Sequence, residues 1–478
     1  MPEDWAGSLD LHVDLPSGGG GRRAALERAV REAIRDGRLR PGDRLPSTRA
    51  LARDLGLARG TVAEAYAQLG AEGYLQARPG APTRVAEGVA AGDDVTRGGN
   101  AAPAPAEPRL SLRPGVPDVG AFPRSAWVAA LRRALSDAPD AALRPGDPRG
   151  RPELRAALAA YLGRARGVLA DPERIVICAG FTEGLALLCR ALRGTGALAM
   201  EDPCFAAHRD IAHAAGLRVT PLAVDAHGAI PELPRDVAAV HLTPSHQFPL
   251  GGTLAPRRRS AFVAWAREHG TLVIEDDYDG EFRYDRQPAG ALQGLDPERV
   301  VYAGTASKTL APALRLGWLV LPGRLLEPVL AAKPNSTPAL EQLALAELLA
   351  GGGYDRHVRR MRQRYRTRRD ALLARLGDRR TLGIAAGLHV VVEVASEQEV
   401  LARAHDLALE PLKPYWHREP RSSPGAAGES PPGRFAQRNE PAGRGFAGLV
   451  IGYAAPPEHA FAASLSALVE ALGDANVG

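Results

Sequence analysis

The sequence predicts an α/β fold with a mainly parallel sheet, preceded by a small winged helix-turn-helix domain. Three observations lead to this fold class. Residues 20–86 alternate helical apolar patterns with turn signals. Residues 87–108 are rich in Gly, Ala and Pro and lack periodicity, which is typical of a flexible linker. From residue 109 to residue 478, short apolar strands alternate with helices, as in domains built on a parallel sheet.

Helices separated by tight turns fill the first segment. Residues 24–34 have an amphipathic helical pattern, and a second helix follows Ser47, which is a favourable N-cap. Gly56 ends this second helix, and residues 59–72 form the next one. A short helix, a turn that contains glycine and a further helix make the helix-turn-helix arrangement. Residues 73–80 then read as a strand and a wing.

The charge of this segment favours DNA as its partner. Residues 20–88 contain 13 arginines and 8 acidic residues, so their net charge of +5 equals that of the whole chain. A basic face is the footprint of phosphate binding, and the second helix of the motif enters the major groove by its N-terminal end. The alternative is a helical domain that docks onto another protein. The residues predicted to contact double-stranded DNA are Ser47, Arg49, Arg59, Gly60 and Thr61.

The same segment resembles the GntR-type winged helix over about residues 20–85. The matching text is G-R-L-R-P-G-D-R-L-P-S-T-R-A-L-A-R-D-L-G, followed by R-G-T-V-A-E-A-Y-A-Q-L-G-A-E-G-Y-L. Two departures concern the DNA contacts. The family usually has Ser where this chain has Ala58, so the recognition helix lacks that N-cap. The family wing usually ends G-x-G-T-F-V, whereas Pro82 in this chain removes a backbone donor from the hairpin.

Lysine is scarce in this chain, and that draws attention to its positions. Lys and Arg total 60, yet the only lysines are Lys308, Lys333 and Lys413. Arginine stays protonated, whereas lysine can lose its proton and attack a carbonyl group. The strand predicted at 300–303 runs into residues 304–307, which include two hydroxyl side chains, and Lys308 follows them. Other strands are predicted at 174–178, 237–242, 271–275 and 449–451, a helix at 182–193 and a disordered loop at 418–444.

The strand ends around Lys308 offer the groups that pyridoxal phosphate requires. This cofactor needs an amine, a carboxylate at the pyridine nitrogen, a donor at the ring oxygen, an apolar plate on the ring face and a cradle for its phosphate. Lys308 supplies the amine, Asp276 the carboxylate, Tyr278 the donor and Phe205 the plate. A strand-to-helix turn can bind phosphate through its N–H groups. The predicted phosphate cradle comprises Gly180, Phe181, Thr182, Thr305, Ser307 and Arg315.

These motifs together resemble fold-type I aminotransferases, and most closely the MocR/GabR group of regulators, over nearly the whole chain. The matching text includes G-D-P-R-G at 146–150, L-T-P-S-H-Q-F-P-L-G at 242–251, I-E-D-D-Y-D-G-E-F-R-Y-D at 274–285 and G-T-A-S-K-T-L-A-P-A-L-R-L-G at 304–317. The resemblance implies a homodimer and places His246 and Gln247 near the cofactor ring. It also exposes a departure, because an arginine that grips a substrate carboxylate in some members is Pro414 here, with Lys413 as a substitute.

Two functions are compatible with this sequence. The first is a transcription regulator that senses pyridoxal phosphate, or an amine or amino-acid effector, through an aldimine at Lys308. The alternative is an active aminotransferase with an N-terminal DNA-binding domain. No metal site is expected. The three cysteines lack framework spacing, and no basic apolar leader or apolar run of about 18 residues is present, so we expect a cytoplasmic protein without membrane contact.

Overall fold

The computed structural model describes residues 21–78, 81–88, 108–284, 290–417 and 446–473. The chain separates into two compact units, Met1–Glu107 and Pro108–Gly478. The loop predicted at 418–444 lies outside the described residues, as do residues 89–107 of the predicted linker. No helix in the described ranges is long and apolar enough to cross a membrane.

The first unit is a three-helix domain with a short antiparallel hairpin. Its elements are α1 (Arg22–Arg35), α2 (Thr48–Asp54), α3 (Arg59–Ala71), β1 (Leu75–Gln76) and β2 (Arg84–Val85). α1 and α3 pack together through fully buried apolar side chains, among them Leu26, Ile34, Val62 and Leu69. The hairpin pairs Leu75 with Val85, and the wing tip at 79–80 lies outside the described residues.

The caps of α2 and α3 follow the sequence. The Ser47 hydroxyl accepts a hydrogen bond from the Ala50 backbone N–H at 3.2 Å, which satisfies one free donor at the start of α2. Ala58 has the extended backbone of an N-cap but makes no side-chain capping bond. The predicted N-cap at Ser47 and the predicted lack of one at Ala58 are therefore both confirmed.

The second unit is built on an eight-stranded sheet in the order β4-β11-β10-β9-β8-β5-β6-β7. The five strands β10, β9, β8, β5 and β6 are parallel, and β11 and β7 are antiparallel to their neighbours. The strands of this sheet are β4 (Ile175–Cys178), β5 (Ala197–Asp202), β6 (Val219–Asp225), β7 (Gly228–Ala229), β8 (Val237–Leu242), β9 (Leu272–Asp277), β10 (Val300–Thr305) and β11 (Gly317–Val320). The strand β3 (Leu110–Ser111) precedes them in the chain and lies outside this sheet. The prediction of a mainly parallel sheet is confirmed.

Helices cover both faces of this sheet and bury its apolar strands. Strands buried on both faces consist almost entirely of apolar residues, which explains why they could be recognised in the sequence. The helices of the second unit are α4 (Arg124–Asp137), α5 (Pro152–Arg166), α6 (Phe181–Ala191), α7 (Ala206–Ala214), α8 (Pro256–His269), α9 (Gly323–Ala332), α10 (Ala339–Ala350), α11 (Gly353–Leu376), α12 (Glu397–Arg403) and α13 (Glu458–Leu472).

A smaller four-stranded sheet follows near the C-terminus, in the order β12-β13-β16-β15. Its core contains Val392, Leu449 and Ile451 and packs against α11 and α13. In β13 and β16, His389 lies opposite Gly452. The remaining strands are β12 (Thr381–Leu382), β13 (His389–Val394), β14 (Leu407–Ala408), β15 (Glu410–Pro411) and β16 (Ala447–Gly452), and β14 pairs with β3.

Candidate functional site

A cavity of about 380 Å³ opens at the carboxyl ends of β8, β9 and β10. Ligands of open α/β sheets bind at this edge, because the loops that leave parallel strands converge there. The structure brings most of the predicted cofactor residues into the wall of this cavity. The predicted residues that line it are Phe181, Thr182, Phe205, Asp276, Tyr278, Thr305, Ser307, Lys308 and Arg315.

Strand alternation decides which of two adjacent carboxylates faces the cavity. β9 extends through Asp277, two residues beyond the predicted strand, so Asp276 and Asp277 point to opposite faces. Asp277 accepts bonds of 2.7 and 2.9 Å from the buried Arg166 guanidinium and one of 2.8 Å from the Tyr302 hydroxyl. Asp276 is buried at the cavity, and its carboxylate lies 3.6 Å from His241 Nε2. Its carboxylate is therefore available to a ligand.

The amine of Lys308 lies in the same wall. Its Nζ donates a hydrogen bond of 2.5 Å to the Gly115 carbonyl oxygen. Burial lowers the pKa of Lys308, and the negative charges of Asp279 and Asp276 partly oppose this effect. Burial likewise raises the pKa of Asp276, with His241 acting in the opposite direction. A lowered amine pKa increases the neutral, nucleophilic fraction.

Backbone geometry shapes an anion cradle at the start of α6. Gly180 caps this helix with φ of 82°, and a Cβ there would lie 3.4 Å from the Arg315 guanidinium. Arg315 itself has φ of 49° and donates a bond of 2.6 Å to the Ala179 carbonyl oxygen. The hydroxyls of Thr305 and Ser307 lie 3.0 Å apart beside it. A helix N-terminus, two hydroxyls and a guanidinium match the requirements of a phosphate group.

Two histidines of the wall were missed in the sequence analysis. His241 lies in β8 and His208 in α7, and their ring centroids are 5.4 Å apart. Burial lowers the pKa of His208 well below its usual value, and His241 adds to this effect. Neither ring nitrogen of His241 has a hydrogen-bond partner among the described residues. The alternation of β8 could have identified His241, because it lies near the carboxyl end of a strand whose neighbour carries Asp276.

A clamp at the rim of the cavity was also missed. The Arg209 guanidinium donates hydrogen bonds to the carbonyl oxygens of Tyr415 at 2.6 Å, Pro414 at 3.1 Å and Trp416 at 3.3 Å. These bonds place the Tyr415 ring in the wall, 5.2 Å from the ring of Phe248. No sequence signal links Arg209 to residues about 200 positions away. Lys413, in contrast, does not line this cavity.

Two predicted residues, His246 and Gln247, lie behind the wall instead of in it. The Gln247 amide donates to the carbonyl oxygens of Pro203 at 2.9 Å and Phe248 at 2.8 Å, and so it holds the turn after β8. The Nδ1 atom of His246 lies 3.0 Å from the Tyr278 hydroxyl. His246 therefore reaches the cavity through Tyr278, and the position of both residues near the cofactor ring stays a prediction.

Phe205 stands at the mouth of the cavity and is 44% exposed. Its ring centroid lies 5.1 Å from that of His208, 5.9 Å from that of Phe248 and 6.4 Å from that of Tyr415. Because the ring is partly exposed at the cavity mouth, it has free surface on which a planar ligand could stack.

The predicted DNA-contacting residues lie at the N-terminal ends of two helices, α2 and α3. Arg59 and Gly60 begin α3 and are exposed, Thr61 is half-buried, and Ser47 and Arg49 are exposed at the start of α2. Within the described part of the chain, the side chains of Arg49 and Arg59 form no hydrogen bond or ion pair, whereas the Arg31 guanidinium donates to the Glu72 carboxylate at 2.8 Å. Free arginines at a helix N-terminus are available to phosphates and bases.

Comparison with known proteins agrees with both units. A family described as "Bacterial regulatory proteins, gntR family" matches residues 22–85, and one described as "Aminotransferase class I and II" matches residues 112–415. The chain is 35% identical to the HTH-type pyridoxine biosynthesis transcriptional regulator PdxR of Corynebacterium glutamicum, over 82% of this chain and 88% of that one. It is 34% identical to the probable rhizopine catabolism regulatory protein MocR of Rhizobium meliloti, over 83% and 86%.

Solved structures give the fold of the second unit. An archaeal alanine:glyoxylate aminotransferase matches with a TM-score of 0.65 and 24% identity, over 75% of this chain and 89% of that one. Fold and site together define a class of proteins in which a winged helix is joined to a fold-type I aminotransferase-like domain. The cofactor of this domain is pyridoxal phosphate. The chain belongs to the MocR-type family of HTH-type transcriptional regulators.

The residues present fit this cofactor. Three elements of its recognition are present. They are the half-buried amine of Lys308, the buried carboxylate of Asp276, and a cradle that a Cβ at Gly180 would narrow. When bound, pyridoxal phosphate supplies an aldehyde that combines with amines and a ring that withdraws electrons from the neighbouring bond. The protein holds Lys308, Asp276 and Arg315 around one cavity, where Asp276 is buried and Lys308 is half-buried.

Proposed function

We propose that this protein is a transcription regulator that binds double-stranded DNA through its first unit. Its second unit senses pyridoxal phosphate, or an amine or amino-acid effector that combines with it, at Lys308. The observation that carries the proposal is the joint presence of Lys308, Asp276 and Arg315 in the wall of one cavity, in a chain with a gntR-type domain. The name of the relative PdxR, a regulator of pyridoxine biosynthesis, supports a sensor over a metabolic enzyme.

Each side chain has a separate task in the proposed site. Lys308 presents a neutral amine to the cofactor, Asp276 holds the positive charge of the pyridine nitrogen, and Tyr278 donates to the ring oxygen. Phe205 packs on the ring face. The phosphate is bound by the N–H groups at the start of α6, by the hydroxyls of the β10 end and by the Arg315 fork, which is suited to bidentate contact.

Sensing requires that a ligand bind two states of the protein with different affinity. Since the cavity wall combines residues of the large sheet with Tyr415 of the C-terminal part, a ligand there contacts both parts of the second unit. We infer that this contact changes the shape of the regulator and thereby its affinity for DNA. The protein acts in the cytoplasm, where its DNA target lies.

We also propose that the regulator is a homodimer. Large apolar side chains are exposed over a short stretch of the second unit, and one of them, Val116, is at the same time part of the cavity wall. An exposed apolar patch that continues into a binding site is suited to a second copy of the chain. The exposed residues of this stretch are Val116, Val119, Val128, Leu135 and Leu143.

The test combines absorbance, turnover and DNA binding on one preparation of the full chain. The wild-type protein loaded with pyridoxal phosphate should be yellow and should bind its own promoter region with an affinity that changes on loading. Lys308→Ala and Lys308→Arg should lose the visible absorbance and the response to loading, while they keep binding to DNA. Multiple turnovers of amino donors with 2-oxo acids, without DNA binding, would show an aminotransferase instead.

DNA recognition is tested separately by Arg59→Ala. This variant should bind the promoter fragment at least about tenfold more weakly at physiological salt, because a bidentate base contact contributes about 1–3 kcal/mol. The matched control is Arg31→Ala, since Arg31 is occupied by Glu72 in the fold. Equal binding by the Arg59→Ala and wild-type proteins would exclude α3 as the recognition helix.

A further inference from the structure

Two histidines and one carboxylate meet in the wall of the cavity, where the proposed site uses only the carboxylate. His208 lies in α7, His241 in β8 and Asp276 in β9. Each offers one ligand atom, and these three atoms all lie within 4.8 Å of one another. All three side chains line the cavity, so a metal ion between them would keep an open position. Two imidazoles, one carboxylate and an open position are a donor set that catalytic zinc sites use.

The separation of the two rings fits one shared ion. Zinc binds imidazole nitrogens at about 2.0–2.1 Å in tetrahedral geometry, so the centres of two ligating rings lie roughly 5 Å apart. The ring centroids of His208 and His241 are 5.4 Å apart, and their planes differ by 76°. The two imidazoles therefore have the separation of a ligand pair.

The distance between His241 and Asp276 also fits an ion between them. His241 is almost completely buried, and its Nε2 lies 3.6 Å from the Asp276 carboxylate. Two ligand atoms of a tetrahedral zinc ion are about 3.3 Å apart, whereas an N–H···O hydrogen bond is about 2.7–3.2 Å long. The contact is thus electrostatic and longer than a good hydrogen bond. The other ring nitrogen of His241 is buried with no partner within the described ranges.

The surrounding charges include a second carboxylate that favours a cation. The charged groups that act on the three side chains from neighbouring positions are Glu201, Arg209, Asp277 and Lys308. Asp277 is already paired with a buried guanidinium, and Arg209 is bonded to carbonyl oxygens at the rim. Glu201 therefore attracts a metal ion together with Asp276, whereas the Lys308 amine is the main opposing charge.

We propose that His208, His241 and Asp276 bind a zinc ion, and that this ion and pyridoxal phosphate exclude each other from the cavity. The ion neutralises the carboxylate that the protonated pyridine nitrogen requires, and it adds a positive charge opposite that nitrogen. The ligands come from three separate elements, which is why no metal site was expected from the sequence. The site stands without the proposed function, whereas its consequence, a regulator that zinc keeps free of cofactor, rests on it.

Cobalt is the probe for this site, because Co²⁺ takes the ligands of zinc and absorbs visible light when four or five ligands hold it. The full chain, freed of cofactor and metal ions, should bind one Co²⁺ per chain, and Zn²⁺ should displace it. His208→Asn and His241→Asn should each weaken Co²⁺ binding at least about a hundredfold, since loss of even an outer-shell partner costs about 10–100-fold. Absence of Co²⁺ binding, or equal binding by His208→Asn and wild type, would overturn the proposal.

Two further histidine variants serve as controls. His269 is exposed in α8 and stacks on Trp265, so His269→Asn should bind Co²⁺ like the wild type. His389 belongs to a second group of possible ligands, with His246 and Asp279, and His389→Asn should also bind normally. Loss of binding in His389→Asn alone would place the ion in that second group and overturn the proposal.

X-ray absorption of the zinc-loaded wild-type protein counts the ligands without any variant, should the histidine variants fail to fold. The spectrum should show two imidazoles with oxygen ligands and no sulfur. A sulfur ligand would place the ion at a cysteine, such as Cys204 in the same wall, and would contradict the proposed ligands.

Native mass spectrometry of the full chain tests the exclusion. Each chain should carry one zinc ion or one pyridoxal phosphate, but not both, and chains that carry both would overturn the exclusion. Lys308→Met should bind zinc several-fold more tightly than the wild type, because the opposing amine is gone, and loss of zinc in this variant would make Lys308 a ligand instead. A wild-type chain that binds zinc but never the cofactor would refute the proposed function and support the metal site.

Discussion

Arg315 combines a strained backbone with a functional side chain. Its φ of 49° is in the left-handed region, which costs a non-glycine residue about 1–2 kcal/mol. Such a conformation persists only where contacts with the surrounding structure offset that cost. The surroundings do so here, because the guanidinium is bonded to the Ala179 carbonyl oxygen at the start of the phosphate cradle. The strained backbone of Arg315 therefore positions its positive charge at the phosphate cradle. A substitution can remove the charge without adding backbone strain.

We expect Arg315→Asn to lose cofactor affinity without losing stability. Asparagine tolerates the left-handed region better than arginine does, so the melting temperature of the cofactor-free protein should not fall. The apparent Kd for pyridoxal phosphate should rise at least about tenfold, since a charge-assisted hydrogen bond contributes about 1.5–3 kcal/mol. Arg315→Lys should lie between the two, because it keeps the charge but not the fork. An unchanged Kd in Arg315→Asn would remove Arg315 from the site.

Glu201, which lies in the cavity wall, makes the folding stability of the second unit depend on pH. Burial raises the pKa of its carboxyl to about 7, and the hydrogen bond from Thr243 opposes this effect. The folded state therefore keeps a proton that the unfolded state has lost between about pH 4.5 and pH 7. The contribution of this group to stability is complete below that window and declines as the pH rises through it.

We expect Glu201→Gln to flatten this decline. The neutral amide keeps the shape of the side chain but cannot ionise. Between pH 4.5 and pH 8, the free energy of unfolding of the variant should therefore fall by on the order of 2–3 kcal/mol less than that of the wild type. Urea unfolding of the second unit at both pH values measures the difference. Glu458→Gln is the control of opposite sign, because the bond from Arg368 lowers the pKa of Glu458. Parallel pH profiles for wild type and Glu201→Gln would contradict the expectation.

At the scale of elements, the sequence predicts strands and helices well and their ends less well. Apolar strands such as β8 were found with correct bounds because both faces are buried. β9 continues through Asp276 and Asp277, which periodicity could not reveal since charged residues normally end a buried strand. The residues proposed for the cofactor site could be predicted because most of them follow the carboxyl end of a strand. Arg209 and His208 were not, because their partners come from distant elements that only the fold brings together.

Arg209 lets α7 hold the short segment before residue 418 in place. Its bonds to the carbonyl oxygens of Pro414 and Tyr415 are accompanied by two further bonds. The Cys204 N–H donates to the Tyr415 carbonyl oxygen at 3.1 Å, and the His417 N–H donates to the Asp202 carboxylate at 2.7 Å. A helix that begins directly after Phe205 thus fixes both the ring plate and the facing Tyr415. This geometry makes α7 the element that sets the width of the cavity mouth.

We expect Arg209→Met to loosen this segment without unfolding the domain. Loss of the guanidinium leaves carbonyl oxygens without their donor, at a cost of about 1–3 kcal/mol. Hydrogen exchange at the Cys204 and His417 amides should accelerate at least about tenfold. Arg218→Met is the control, because Arg218 forms a surface pair with Asp236 and does not touch the segment. Unaltered exchange at both amides would show that the clamp is not needed.

For the whole molecule, the proposed homodimer explains why apolar residues stay exposed beside the cavity. Val128 and Leu135 are seven positions apart on α4, so they share one face of that helix. The opposite side of α4 packs against α10 within the same chain. A second copy of the chain would cover the free face and close the cavity at Val116.

We expect Leu135→Asp to convert the dimer into a monomer and to weaken cofactor binding with it. A charge buried in an apolar interface is strongly unfavourable, so sedimentation should give half the wild-type mass at micromolar concentration. The control is Leu295→Asp, since Leu295 is similarly exposed and lies in the turn Gln293–Leu295, outside the exposed apolar stretch. A dimer that persists in Leu135→Asp would move the interface elsewhere, and a monomeric wild type would refute the proposal.

The three lysines lie in three different environments, so their reactivity toward a chemical reagent can report whether the cofactor is bound. Lys413 is exposed, Lys308 opens into the cavity, and Lys333 is buried with its amine bonded to the Asn335 carbonyl oxygen at 2.7 Å. A mild acylating reagent applied to the native protein should therefore modify Lys413 first, Lys308 only when no cofactor protects it, and Lys333 only after denaturation. Mass spectrometry of the modified peptides would then read cofactor occupancy in cells, without a spectrum and without purification.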